Sequence, residues 1–342
     1  MKFDNACIAP TENCSLETIM FQRLLAAFRT RPPATQRTAA HDAIVAAGEH
    51  GRHTAMPRDE WRDKVLHPRL KQHWNTPDAL YGTIMAALAD GFAPELMTSS
   101  ARLVEIDHLS ERSHATHGTV LLESGRPDDA EAVLRAGIRV AGETAVLLTN
   151  LAKVTHYRGD ATATADLLRR AVRLDPNYER ALNGWLAIER ERAGEGGFLH
   201  ALRDACALPG SWRARLVLAR HHLAAGDLPA ARDEYTAVLA AADVDGSALT
   251  TMSADLARHG HTGLVVTLVG PVYEPAMHGP QAGFSLLRAC LETQRVADGE
   301  ALLARLRPLA TPPFVRQLDE FQRAFDRLHV AAPVAEQTTA RA

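Results

Sequence analysis

The side chains best suited to chemistry in this chain are its histidines, its cysteines and one glycine-rich stretch. Sixteen histidines are present, and His50/His53, His67/His73, His114/His117 and His221-His222 stand close together in sequence. Two histidines three residues apart on one helical face can ligate a metal, which fits His114 and His117. No acidic or cysteine partner stands at ligand spacing, so no metal site is predicted. The four cysteines, Cys7, Cys14, Cys206 and Cys290, match no zinc or redox spacing and are expected to be reduced thiols. Gly194-Glu195-Gly196-Gly197 has neither the preceding strand nor the adjacent lysine of a phosphate-binding loop, and predicts a flexible hairpin loop. No serine nucleophile between glycines and no His-Glu helix motif is found. Neither a catalytic residue nor a cofactor is therefore predicted. The alternative is an enzyme or accessory subunit with its chemistry in residues 15–75, around Asp63, His67 and His73.

The elements that would carry these side chains are helices. The chain has 342 residues, a formal net charge of -3 and only 5% aromatic residues; Ala, Leu and Arg, good helix formers, dominate. Charge this close to zero argues against general nucleic-acid binding. No apolar run approaches the ~18 residues of a membrane span, and the N-terminus lacks a secretory pattern. A cytoplasmic protein is expected, and the Ala- and Arg-rich composition suggests a bacterial one. Residues 1–14 read as a loose arm. Ser15 can cap a helix from Leu16 to about Arg29, and a second helix runs from about Ala34 to Ala47, followed by a turn-rich loop to Pro57. Pro57 opens a short helix with Trp61, Val65 and Leu66, interrupted at His67-Pro68. Thr76-Pro77-Asp78 starts a helix to Asp90 with Leu80, Ile84, Ala87 and Leu88 in helical spacing. Gly91 ends it, and another helix follows to about His108. The β-branched run Leu264–Val269 could form a strand by propensity, but its place in the pattern favours a helix. Trp61, Trp74, Trp185 and Trp212 are expected in packing positions.

A periodicity organises the middle of the chain. Ala152, Gly159, Ala171 and Pro176 place small residues where two helices touch, a glycine at the turn between them and a proline at the exit. Gly118, Gly125, Ala130, Leu134 and Gly137 repeat the pattern, as do Ala219, Gly226, Ala231, Tyr235 and Val238. Gly260 follows Gly226, and a blurred copy reads Leu291, Gln294, Gly299, Leu303 and Pro312. Thr164 stands where a small residue is usual. Residues 179–210 keep the helical rhythm but slip by one or two residues.

These residues resemble the tetratricopeptide repeat, a helical hairpin of about 34 residues, over residues 111–313. The resemblance implies an all-α fold: a tetratricopeptide-like right-handed α-solenoid behind a helical N-terminal region. The segments would be a flexible arm (1–14), that region (15–76), a capping or degenerate hairpin (77–110), the repeats (111–313), a terminal capping helix (314–329) and a disordered tail (330–342). Stacked hairpins supply one another's core. The first helix of each lines a concave groove, and the family's groove positions fall on Val146, Thr149, Lys153, His156 and Tyr157, on Arg112, Ala115, Thr119, Leu122 and Glu123, and on Arg213, Leu216, Arg220, Leu223 and Ala224. The slipped copy would add Arg180, Asn183 and Arg190. Asn150 sits where many family members hold a peptide backbone, although the full set of a carboxylate-gripping clamp is not present. Lys153, His156, Arg180, Arg190, Arg213 and Arg220 would make a basic track for carboxylates. The implied function is a non-enzymatic scaffold or adaptor binding a protein or peptide of acidic or carboxylate character, with a peptide-gated regulator as a further alternative. Neither nucleic acid nor membrane is an expected partner, and the oligomeric state is left open.

Overall fold

The computed structural model describes residues 43–47, 53–241, 245–309 and 311–339. The arm 1–14, the helix expected over 16–29, and Cys7, Cys14 and His50 lie outside the described residues. The chain divides into two compact units, residues 1–201 and 202–342.

The first described element corrects the sequence reading. Ala43–Ala47 is a strand (β1), not the end of a helix, and pairs antiparallel with β2, His53–Pro57, with Ala43 opposite Pro57 and Ala47 opposite His53. Alanine-rich composition favours helix, but Ile44 and Val45 are β-branched and a turn-rich stretch follows, which suits a two-stranded ribbon. The chain then becomes helical: α1 (Arg58–Trp61), a π-helical turn (Arg62–Leu66) and α2 (His67–Gln72). His67-Pro68 does not interrupt the helix as expected. The wide π turn before it makes room for the proline ring, which would strike a carbonyl four residues back in a regular helix.

From here the chain is a series of antiparallel hairpins. The first unit contains α3 (Pro77–Ala89) with α4 (Met97–Ile106), α5 (Ser110–Glu123) with α6 (Pro127–Ala141), and α7 (Ala145–Tyr157) with α8 (Ala161–Leu174). The second contains α10 (Trp212–Ala224) with α11 (Leu228–Leu239), α12 (Gly246–Arg258) with α13 (Thr262–Val269), and α14 (Pro275–Glu292) with α15 (Val296–Leu306). The run Leu264–Val269 is helical, as its position predicts. Between the two sets, α9 (Glu179–Cys206) is two helices joined by a break at Ala193 and Gly194, where Gly194 has φ 63°. The glycine-rich stretch is thus tighter than the expected loop. A Cβ on Gly197 would lie 2.6 Å from the Glu189 carbonyl oxygen, so the return helix needs glycine there to approach this closely.

One turn recurs. At Gly91, Gly125, Gly159, Gly226 and Gly260 the backbone is left-handed, with φ between 77° and 79°. At Gly125 its N–H reaches the Leu122 carbonyl (3.1 Å) and the next N–H reaches that of Leu121 (2.9 Å). This double bond closes the orphaned carbonyls of the helix end. Gly91 precedes Gly125 by one repeat length and makes the same pair of bonds, to Leu88 and Ala87. In α14–α15 the position belongs to Gln294, at φ 55°, with the same bonds to Leu291 and Cys290. That copy looked blurred because its turn residue is the wrong type, not because the turn differs. Asp160, Asp227 and Asp245 cap the following helices by accepting backbone N–H bonds; Thr76, expected to cap α3, makes no such bond.

Helix contacts are close where glycine permits. A Cβ on Gly118 would meet Leu134 at 2.7 Å, and one on Gly137 would meet His114 at 2.7 Å. Thr164 is fully buried, with its hydroxyl donating to the Asp160 carbonyl at 2.7 Å, so its extra polarity is satisfied. In the first unit one core gathers Trp61, Leu66, Leu80, Ile84, Phe92 and Leu103, and another Leu121, Leu134, Leu147, Leu151 and Val154. Trp185 and Trp212 are buried too, whereas Trp74 is half-buried. The last helix, α16 (Pro312–Thr339), extends beyond the end expected near Leu328, through most of the stretch read as a disordered tail. Its Leu318 and Phe325 join the second unit's core, and Phe321 stacks on Phe284 with ring centroids 6.1 Å apart.

A left-handed conformation is strained for a residue with a side chain by about 1–2 kcal/mol. Gln294→Gly is therefore expected to stabilise the protein by about 1 kcal/mol and Gly125→Gln to destabilise it by a similar amount. Urea or thermal unfolding measures both, and a Gln294→Gly protein less stable than the parent would contradict this account of the turn.

Candidate functional site

In the first unit, α3, α5, α7 and the first turn of α9 share an open cavity of about 550 Å³. Tyr81, Met85, Leu88 and Ala89 form its apolar end, all from α3, and Met85 is an exposed large apolar residue. Asn150, Lys153 and Arg180 form the opposite, polar end, with Glu111 and Glu123 of α5 on the same wall.

Asn150 is the local hub. Its side-chain oxygen accepts from Lys153 Nζ at 3.1 Å and from the Thr119 hydroxyl at 3.2 Å, and its Nδ2 donates to the Val146 carbonyl at 3.0 Å. It ties α5 to α7 and fixes the lysine; its carbonyl is already committed, which leaves little for a ligand backbone. Burial, reinforced by the Arg180 charge and opposed by Glu123, lowers the Lys153 pKa to about 8. Arg112 is held at the apolar end. Its guanidinium donates to both Asp107 oxygens (2.9 and 3.0 Å), pairs with Asp78 at 2.8 Å and lies 4.7 Å from the Tyr81 ring centre. Burial alone would raise the Asp107 pKa, but the Arg112 and Leu109 N–H bonds outweigh it and hold the carboxyl below its usual range.

The remaining residues assigned to the groove scatter. Thr149 is 1% exposed and spends its hydroxyl on the Ala145 carbonyl, so it belongs to the core; Leu122 is likewise buried. His156, Tyr157 and Asn183 lie outside the cavity lining. Arg190 pairs with Glu195 at 3.0 Å and stacks 3.8 Å from the Phe198 ring centre, clasping the two sides of the α9 break. Arg213 and Arg220 belong to the second unit. Arg213 lies over the Trp212 ring at 4.6 Å, and Arg220 donates from Nε to the buried Asp255 carboxylate at 3.0 Å. A basic track is therefore not what these side chains form, because two of its arginines serve acids of their own chain.

Other candidates resolve into local bonds. His114 Nδ1 contacts the Ser110 carbonyl at 2.7 Å, and His117 Nδ1 contacts the Ser100 hydroxyl at 2.9 Å. Burial, then the neighbouring His114, lowers the His117 pKa. His73 bonds Thr83 at 2.8 Å, while His67 faces Asp63 at 3.8 Å on exposed helix surface, so these three do not converge. Cys206 and Cys290 are free and buried, and burial pushes their thiols up to about 12 and about 11. The contribution of α3 to the cavity went unforeseen, although Gly91 at one repeat length before Gly125 was the signal for it.

The model of the tetratricopeptide repeat family matches residues 116–179 and 198–245. These stretches are tetratricopeptide repeats. No curated protein is similar to the chain in sequence. Among solved structures, the chain is similar to that of the Pseudomonas aeruginosa pilF study at 14% identity, over 72% of this chain and 96% of that one, with a TM-score of 0.34. It is also similar to human IFIT1, solved as a dimer with PPP-AAAA, at 12% identity over 79% and 69% with a TM-score of 0.38. A chain of the APC/C hetero-tetramer Cut9-Hcn1 matches at 13% identity over 85% and 54%, with a TM-score of 0.33.

Three outcomes follow for stability. The unfolded chain binds a proton at Lys153 up to the ordinary lysine pKa, whereas the folded one releases it near 8, so this lysine penalises folding below pH 8 and the penalty fades as pH rises through that window. Lys153→Met is expected to stabilise the protein by about 1–2 kcal/mol at pH 7, with the gain vanishing near pH 10; unfolding curves across that range test it. Arg220→Ala, which leaves the buried Asp255 carboxylate with Arg258 at 3.1 Å as its remaining arginine partner, is expected to lower stability by about 1–3 kcal/mol. Arg180→Ala on the exposed cavity rim is expected to leave it within about 0.5 kcal/mol.

Proposed function

We propose that the protein is a non-enzymatic adaptor that holds a protein or peptide partner in the cavity of its first unit. The observation that carries this is the convergence of four successive first helices on one open cavity, apolar at one end and cationic at the other. Tetratricopeptide repeats serve as helical scaffolds for protein interaction, and an extended peptide suits a surface to which several repeats each contribute side chains. The carboxylate preference attaches to Lys153 and Arg180, two cations set close enough to raise each other's energy, between which one carboxylate would be welcome. Glu111 and Glu123 on the same wall oppose a run of acidic residues. The favoured partner therefore has a single carboxylate and, further along its chain, an apolar side chain that packs on Tyr81, Met85 and Leu88.

The test is selection of peptides from a displayed random library on the purified protein, followed by titration of a selected peptide. Lys153→Met and Arg180→Gln are each expected to weaken that peptide about tenfold, as for loss of a charge-assisted hydrogen bond, and Met85→Lys to weaken it comparably from the apolar end. Affinity is expected to fall as pH rises through 8, because the lysine then loses its charge. Selected peptides indifferent to all three substitutions would show that the cavity is not the docking site.

A further inference from the structure

Lys153 is unusual in kind as well as in place. The chain has 38 basic residues of the Lys and Arg types, and only Lys2, Lys64, Lys71 and Lys153 are lysines. Every position beyond residue 71 that needs a cation uses arginine, apart from this one. Arginine cannot give up its proton in a protein, whereas a buried lysine can. At 153 the chain therefore places the one lysine of its repeats in an open cavity. The groups around it reinforce this. Arg180 from α9 is a like charge, Glu123 from α5 partly offsets it, Glu111 and Arg112 stand on the same wall, and α3 contributes an apolar face. An ammonium has three protons to donate, and this one donates to Asn150 Oδ1, an acceptor it shares with Thr119.

We propose that Lys153 is an acyl-acceptor site, a selectively reactive amine that takes a small acyl group from an activated acyl donor of the acyl phosphate class. The neutral amine attacks the carbonyl carbon and forms a C–N bond. The C–O bond to phosphate breaks, phosphate leaves with the electron pair, and the surplus amine proton passes to water; nothing is oxidised or reduced. The product is a neutral amide, which removes the repulsion with Arg180 and the burden of a buried charge. The modification goes beyond the docking role and does not depend on it, since it requires only the amine and its surroundings.

The experiment treats the full chain with acetyl phosphate from pH 6.5 to 9.5 and follows acetylation of each lysine by mass spectrometry after digestion at acidic residues. Lys64 is the internal reference, because its hydrogen bond to Glu60 at 2.6 Å raises its pKa. Lys153 is expected to label at least about tenfold faster than Lys64 at pH 7, since each unit of lowered pKa frees about ten times more amine. Its rate should level off above pH 8 while that of Lys64 keeps rising. Arg180→Gln, which removes the like charge from an exposed position, should move the plateau to higher pH. Labelling of Lys153 no faster than of Lys64, a rate that climbs through pH 9.5 without levelling, or a plateau unmoved by Arg180→Gln would each overturn the proposal.

Discussion

No single hairpin in this chain can bury its own apolar face, and the rest of the structure depends on that. In the pair α5 and α6, Leu134 packs at Gly118 of its own hairpin and shares a core with Leu147, Leu151 and Val154 of the next helix. Stability in such an array comes from neighbours, so each hairpin must present its helices at a fixed spacing. Two devices impose that spacing. Glycines at 118 and 137 let helix surfaces meet at distances a methyl group would prevent, and the left-handed turn returns the chain while satisfying the orphaned carbonyls of the helix it ends.

The same geometry creates the cavity. When first helices stand side by side, the side chains facing away from the second helices share one wall, and polar residues there are drawn into one another's company. Asn150 shows the consequence: its amide bridges Thr119 on one hairpin and Lys153 on its own. Lys153 is then caught between burial and a like charge, a tension that neither hairpin generates alone. At the other end, Asp107 and Asp78 hold Arg112 against Tyr81, so the cavity is cationic where its charge is strained and apolar where its charge is neutralised.

Acid–base pairing separates arginines that look alike in sequence. Arg180 stands at the start of one first helix and Arg220 in the middle of another. One faces the cavity, while the other is bound to a carboxylate that is almost entirely buried. Arg190 is different again, with its guanidinium on Phe198 across the break in α9. What distinguishes them is the residue about one repeat further on, or across a turn, which a pattern within one hairpin does not contain.

The sequence by itself determined the hairpins, because the features that make them are local: glycine where φ must be positive, small residues at helix contacts, aspartates at helix starts, apolar residues at helical spacing. Those rules placed the helices from Pro77 onward, including the β-branched run Leu264–Val269. They failed at Ala43–Ala47, where an alanine-rich segment takes a partner strand, and read only faintly at Gln294, where the turn persists without its glycine. Only the tertiary structure decided which side chains meet. It took Thr149 and Leu122 into the core, gave Arg220 to Asp255 and brought Tyr81 and Met85 into the same cavity as Lys153. Helix formation depends on residues three or four apart, whereas burial and charge pairing depend on residues a repeat or more away, whose distances are set only when the hairpins stack.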